Sequence, residues 1–209
     1  MNEVVKIIED NENKSKRTLK DFLLDFFDII SFVVFILGVV SFIKFFLFNP
    51  FQVVGQSMEP TFHDKDFIIV DKITHRFGEL KRGDVIVFVP AGKDVPYIKR
   101  IIGIPGDTVK IENGTVTRCT KDETGESCEK LVENYIKAGG TTNPCSGGKL
   151  TEFTVTPGGY LVFGDNRENS TDSRCCFGLE CTSGNSYLVQ NEQIIGKVYI
   201  KILPNIEKF

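Results

Sequence analysis

The chain contains no tryptophan and only two histidines, His63 and His75, and none of its six cysteines appears before Cys119. With so little imidazole and no paired C-x-x-C spacing, the usual ligand sets for zinc are missing. Neither a metal site nor a cofactor is expected. A basic excess is lacking as well: 25 Lys and Arg stand against 28 Asp and Glu, for a net charge of −3. That balance gives no electrostatic footprint for nucleic acid, which is excluded as a partner. No internal repeat interrupts the 209 residues, so a repeat array is excluded too.

What the sequence does have is phenylalanine, 18 in all. They crowd the first quarter of the chain, at Phe22, Phe26, Phe27, Phe32, Phe35, Phe42, Phe45, Phe46 and Phe48. The apolar run Ile29 to Phe48 supplies the roughly 20 residues a spanning helix needs, with Asp28 at one boundary and Lys44 able to snorkel to the headgroups. A cleaved secretory leader would have a shorter apolar region ending in small residues, whereas this one runs into Asn49-Pro50-Phe51-Gln52. An uncleaved anchor is therefore expected. Lys6, Lys14, Lys16, Arg17 and Lys20 precede the run, and the positive-inside bias keeps that end cytoplasmic. The expected organisation is a cytoplasmic segment 1–28, a single transmembrane helix 29–48 and an extracytoplasmic β-rich domain 49–209. All six cysteines follow the anchor, which fits an oxidising exterior.

Beyond the anchor the apolar runs are short and β-rich: Phe67 to Val70, Val85 to Val89, Tyr97 to Ile102, Thr108 to Ile111, Val116 to Thr117, Tyr160 to Phe163 and Ile194 to Leu203. Thr108 to Glu112 alternates apolar with polar, meets Asn113-Gly114 and resumes at Thr115, which predicts a hairpin with a tight turn. From Arg118 to Leu150 the composition shifts to Gly, Thr, Glu, Lys and Cys without clear periodicity. This stretch reads as an insertion held by disulfide rather than by a core. Cys119 with Cys128 closes a plausible local loop, and two of Cys175, Cys176 and Cys181 are expected to pair.

Three segments carry chemistry. Gly55-Gln56-Ser57-Met58-Glu59-Pro60-Thr61 puts a hydroxyl on backbone that Gly and Pro incline to turn. In Tyr97 to Ile102, strand alternation sends Lys99 and Arg100 to opposite faces. At least one of these cations is thereby partly buried, and burial of a lysine favours its neutral, basic form. Gly164 to Arg174 is a dense polar loop after an apolar strand, rich in Asp, Arg and Ser able to orient an amine. Read singly, Ser57 is an ordinary loop serine, Lys99 a solvated edge lysine, and the loop a set of Asx turns.

Together, in this order with Arg82-Gly83-Asp84-Val85-Ile86-Val87-Phe88 and Lys99 to Asp107, the segments resemble the bacterial type I signal peptidases. The resemblance spans most of the chain. It implies a signal-peptidase-like β-sheet catalytic domain and a membrane-bound serine endopeptidase at the bacterial plasma membrane. Cleavage would follow small residues in an A-x-A-like pattern, with signal peptides of exported preproteins and the lipid bilayer as partners, the chain acting as a monomer. It further implies Ser57 as nucleophile and Lys99 as general base, Ser170 orienting the amine, and Arg100, Asp165, Asp172 and Arg174 buttressing the site. The two aspartates should face the arginines rather than the lysine. The Ser57 backbone N–H is the expected oxyanion donor; the position where some members carry a second donor hydroxyl is Gly55 here. An extended substrate is expected along Gln52, Val53 and Val54 and along Val95, Tyr97 and Ile98. Phe51, Met58 and Phe62 would touch lipid or fill the core. In related eukaryotic and archaeal enzymes a His takes the base position; here Lys99 stands in that slot, and His63 and His75 are expected at the surface. The alternative is a membrane-tethered β domain that binds peptides or assists export without catalysis, against which intact Ser57 and Lys99 argue.

Overall fold

The apolar N-terminal run folds as a helix, α1 (Asn2–Phe42), whose Lys20–Phe42 portion is 23 residues long and apolar enough to cross a bilayer. Phe22, Phe27, Phe32 and Phe35 are among its exposed side chains, an arrangement suited to lipid and not to water. This candidate stretch begins before the expected 29–48. After a π-helical turn, Ile43–Leu47, the chain is already extended at Phe48, which opens the first strand. The computed structural model describes residues 2–122, 125–145, 150–179, 181, 187–203 and 206–209, and divides into two compact units, Met1–Phe46 and Leu47–Phe209.

The second unit is mainly β. Its strands are β1 (Phe48–Gln52), β2 (Phe67–Asp71), β3 (Val85–Phe88), β4 (Tyr97–Gly103), β5 (Asp107–Glu112), β6 (Thr115–Asp122), β7 (Gly125–Lys130), β8 (Glu152–Thr154), β9 (Gly159–Phe163), β10 (Val189–Gln190), β11 (Ile194–Leu203) and β12 (Glu207–Lys208). A short helix, α2 (Ile73–Phe77), follows β2. The larger sheet has the order β1-β2-β11-β3-β4-β9-β10, with β12 added on β11, and the smaller has the order β7-β6-β5-β8. All the pairings are antiparallel.

The unbroken apolar run of β3 places it in the middle of the larger sheet, covered on both faces. Val85 and Val87 join a cluster with Met58, Phe62, Val70 and Ile98, while Ile86 and Phe88 join another with Ile101, Val162 and Phe177. A third cluster, including Val109, Val116, Phe153 and Phe163, lies beneath the smaller sheet. Such antiparallel sheets carry the side chains of their inner strands, paired on both sides, at fixed register.

The expected hairpin is present, with Glu112 opposite Thr115. Asn113 and Gly114 both have positive φ, at 50° and 77°, the conformation a two-residue hairpin turn demands. The insertion is more ordered than its composition implied. β6 continues to Asp122 and pairs with β7, placing Cys119 opposite Cys128, which are disulfide-bonded. Thr, Arg and Lys at these positions hide the strand from a hydrophobic pattern without preventing it. Nor is the insertion without a core: Leu131 and Tyr135 pack on the third cluster, and Thr142 is buried. Cys176 pairs with Cys181, and Cys145 ties the insertion to Cys175.

Met58 and Phe62 are fully buried, and Phe51 is packed against the same cluster. Met58 and Phe62 are core residues, while Phe51 is partly buried at the cluster's margin. The Phe62 ring lies 4.6 Å from that of Phe209, whose N–H donates to the Tyr199 carbonyl at 3.0 Å.

Candidate active site

Burial of Met58 and Phe62 pulls a tight turn into the larger sheet's core and leaves Ser57 half-buried at its rim. The turn is closed by Glu59 N–H to the Gln56 carbonyl at 3.2 Å and Phe62 N–H to the Met58 carbonyl at 2.9 Å. Gly55 has φ of +91°, which L side chains rarely adopt, and its N–H donates to Asp64 Oδ1 at 2.8 Å. From the other side, the end of β9 presses on the turn. A Cβ on Gly164 would fall 2.5 Å from the Ser57 carbonyl oxygen, so only glycine allows the approach. Asn166 then donates twice, from its N–H to the Ser57 carbonyl at 3.1 Å and from Nδ2 to the Gln56 carbonyl at 3.0 Å.

β4 supplies the lysine. Lys99 Nζ lies 2.6 Å from Ser57 Oγ and 2.8 Å from the Ile98 carbonyl oxygen, with the side chain buried. Burial lowers its pKa from the ordinary lysine range to about 8, outweighing Asp172 and Asp165, which act to raise it; Arg174 lowers it further. Both cations of the strand are buried, and each has its own means of tolerating it.

Arg100 solves its burial with Asp165, through Nε to Oδ1 at 2.9 Å and Nη2 to Oδ2 at 2.7 Å, and with the Gly83 carbonyl at 2.8 Å. Thr61 Oγ1 donates to the same aspartate at 2.5 Å, which links the serine turn to the arginine. Arg174 forms the matching bidentate pair with Asp172, at 2.9 and 2.8 Å, and Asp172 Oδ2 also accepts the Gly164 N–H. Both aspartates thus face arginines. Ser170 is different. Its Oγ is buried against Gly164 and has no hydrogen-bond partner among the described residues, while the amine's partners are Ser57 Oγ and the Ile98 carbonyl.

An open groove of about 1050 Å³ runs past the pair, lined by Gln52, Val53, Val54, Val95, Tyr97 and Ile98, all anticipated, and also by Asn169 and Thr171. Its walls offer free backbone. β1 is an outer strand of the larger sheet, and β9 pairs with β4 only from Arg100 onward, leaving Tyr97 to Lys99 without a partner strand on that side among the described residues.

Several contributors had no signal in the sequence. Arg167, in the polar loop, is buried with its Nε on the Gly164 carbonyl at 3.1 Å, and pairs bidentately with Glu133 of the insertion. Thr142 of the insertion also contacts the Arg167 guanidinium, and the Asn143 carbonyl accepts from Arg174 at 3.0 Å. The Tyr135 ring lies 4.2 Å from the Arg100 guanidinium, and its hydroxyl donates to Glu133 at 2.8 Å. Only the cysteine at 145 hinted that this stretch returns to the loop. His63 is exposed, 4.0 Å from Asp66, away from the pair; the side chain of His75 lies outside the described residues.

A family model described as signal peptidase, peptidase S26, matches residues 26–203. Signal peptidase I of Bacillus licheniformis is 40% identical over 141 residues, covering 66% of this chain and 72% of that one. A signal peptidase I of Bacillus amyloliquefaciens is 38% identical over 170 residues, 79% of this chain and 85% of its own length. Signal peptidase IB of Staphylococcus aureus strain N315 is 34% identical over 163 residues, 76% and 80% of the two chains.

Proposed function

Since the chain belongs to the signal peptidase family, peptidase S26, whose members are membrane-anchored serine endopeptidases that cleave signal peptides, we propose that it does so by a Ser57–Lys99 dyad. The observation that carries this reading is the 2.6 Å approach of a buried lysine amine to the serine hydroxyl. With a pKa near 8, a usable fraction of the amine is neutral at physiological pH.

Ser57 Oγ attacks the carbonyl carbon of the last signal-peptide residue while Lys99 Nζ takes the hydroxyl proton. The carbonyl oxygen becomes an oxyanion stabilised by the Ser57 backbone N–H. Collapse breaks the C–N bond, and Lys99 returns its proton to the leaving amine. Water then gives a proton to Lys99 and attacks the acyl carbon; collapse breaks the bond to Ser57 Oγ, Lys99 returns the proton to that oxygen, and the signal peptide leaves with a free carboxyl group. The substrate lies extended between Gln52 to Val54 and Val95 to Ile98, adding main-chain hydrogen bonds and turning alternate side chains to the protein. Small residues before the cut follow from how closely such a strand must approach. The N-terminus is cytoplasmic, α1 crosses the membrane once, and the catalytic unit works outside as a monomer.

The test uses the detergent-solubilised chain and a preprotein with an Ala-x-Ala site. Ser57→Ala and Lys99→Ala should each lower cleavage at least about a thousandfold while remaining folded, since a nucleophile and its base fail together. Full activity in Lys99→Ala would overturn the dyad.

A further inference from the structure

One peptide unit bears the burden of the oxyanion. Gly55 has no side chain to offer, and its N–H is held by Asp64 at 2.8 Å. The Ser57 N–H donates to no other group among the described residues. That N–H belongs to the same amide as the Gln56 carbonyl, and the carbonyl accepts two hydrogen bonds, from Asn166 Nδ2 at 3.0 Å and from Glu59 N–H at 3.2 Å.

We propose that Asn166 is a positioning residue for the oxyanion site, acting through the Gln56–Ser57 peptide. The inference rests on the dyad reading above. A donor on the carbonyl oxygen draws electron density across the amide and strengthens the N–H at its other end, by about 10–30% per bond. The same contact fixes the plane of the peptide and so the direction in which the N–H points. Asn166 makes this grip two-sided, because its own N–H donates to the Ser57 carbonyl at 3.1 Å. The peptide units on both sides of the nucleophile are therefore held by one residue. Its placement is fixed in turn by Gly164, whose missing Cβ lets the chain approach Ser57, and by Asp165, locked to Arg100 on one side and Thr61 on the other.

Asn166 is not among the described residues lining the groove, so it does not contact substrate by this geometry. Its loss should weaken stabilisation of the transition state and leave ground-state binding alone. The alanine variant removes the side-chain donor and keeps the backbone one. Asn166→Asp keeps the shape but turns a donor into an acceptor facing the Gln56 carbonyl oxygen.

The experiment uses the full chain in detergent with a peptide carrying an Ala-x-Ala site. Asn166→Ala should lower kcat by about tenfold to a hundredfold, below the loss expected for removing an oxyanion donor outright, with KM within about twofold. Asn166→Asp should lose at least as much. A peptide boronate, which forms a tetrahedral adduct on the serine, should bind more weakly in both variants. An analogue whose scissile amide is replaced by a methyleneamine should bind as before. A merely structural role would weaken both ligands together and lower thermal stability. Unchanged kcat in a folded Asn166→Ala, or a parallel loss of both ligands, overturns the proposal; if the alanine variant does not fold, the isosteric aspartate decides by the same two criteria. A Ser57→Ala control run alongside separates the two readings. If it retains activity the dyad itself fails, and if it is inactive while both Asn166 variants run at full rate only this inference fails.

Discussion

A lysine held at the rim of a sheet must lose its charge to serve as a base, and the site around Lys99 is arranged to allow that loss. Asp165 and Asp172 are committed to Arg100 and Arg174 by bidentate pairs, so neither carboxylate closes on the amine. Burial then dominates and brings the pKa to about 8. On the proposed dyad mechanism the neutral amine is the active form, so kcat/KM should rise with pH through an apparent pKa near 8, as read from a pH profile on a peptide substrate. A flat profile between pH 7 and 9 would contradict it. The same shift has a stability consequence. The native amine binds a proton less readily than the unfolded one, so between about 8 and 10.5 the unfolded state holds more protons and stability rises with pH. Below pH 8 the burial penalty is fully present. Lys99→Met should therefore be more stable than the parent at pH 7, by up to about 3 kcal/mol, with the gain fading as pH passes 8 towards 10.5. Denaturant unfolding at several pH values measures it. Ser57 and Lys99 could be picked out in the sequence because several segments in order resemble one family; read singly, their local runs, a Gly/Pro turn and an alternating strand, fit ordinary loop and edge residues equally well. Asn166, Glu133 and Tyr135 could not be picked out, since each acts on a partner far away in the chain and nothing in its immediate neighbours encodes that partner.

At the level of elements, the central strands announced themselves by apolar runs or clean alternation, as in Val85–Phe88 and Asp107–Glu112. β7, with all six residues exposed, gave no such signal, because its pairing comes from backbone and disulfide rather than from a buried face. β1 was hidden for another reason: Phe48 continues the apolar run of the anchor, and only the structure separates helix from strand. The insertion is the element whose role changed most. Glu133, Tyr135, Thr142 and Asn143 reach Arg167, Arg100 and Arg174, so this segment packs behind the dyad and neutralises charge there. The Arg167–Glu133 pair is almost wholly buried, with side chains 2% and 8% exposed. Removing one member of such a pair leaves the other charge stranded at a cost of about 3–5 kcal/mol. Glu133→Gln should destabilise the chain to that extent in denaturant titrations, and Glu133→Leu combined with Arg167→Met should recover part of the loss. A Glu133→Gln variant as stable as the parent would show that the pair is a bystander.

For the whole molecule, the division into two units separates what catalysis needs from what delivery needs. The unit Leu47–Phe209 holds the three hydrophobic clusters, the three disulfides, the groove and the dyad. The unit Met1–Phe46 holds the apolar helix, whose exposed phenylalanines and valines suit lipid better than water. If α1 anchors the chain as proposed, a signal peptide, itself an apolar segment, would share its bilayer, and anchoring both partners would turn a search in volume into a search in a plane and raise their effective concentration. A chain lacking residues 1–46 should then cleave a short soluble Ala-x-Ala peptide within a few-fold of the full chain. On a preprotein inserted in lipid vesicles the same truncated chain should lose rate by about 10²-fold or more. The comparison of the two substrates, each run with both chains, is the measurement. Equal losses on both would mean that the helix supports the fold of the catalytic unit, and no loss on either would mean that the anchor plays no part in bringing enzyme and signal peptide together.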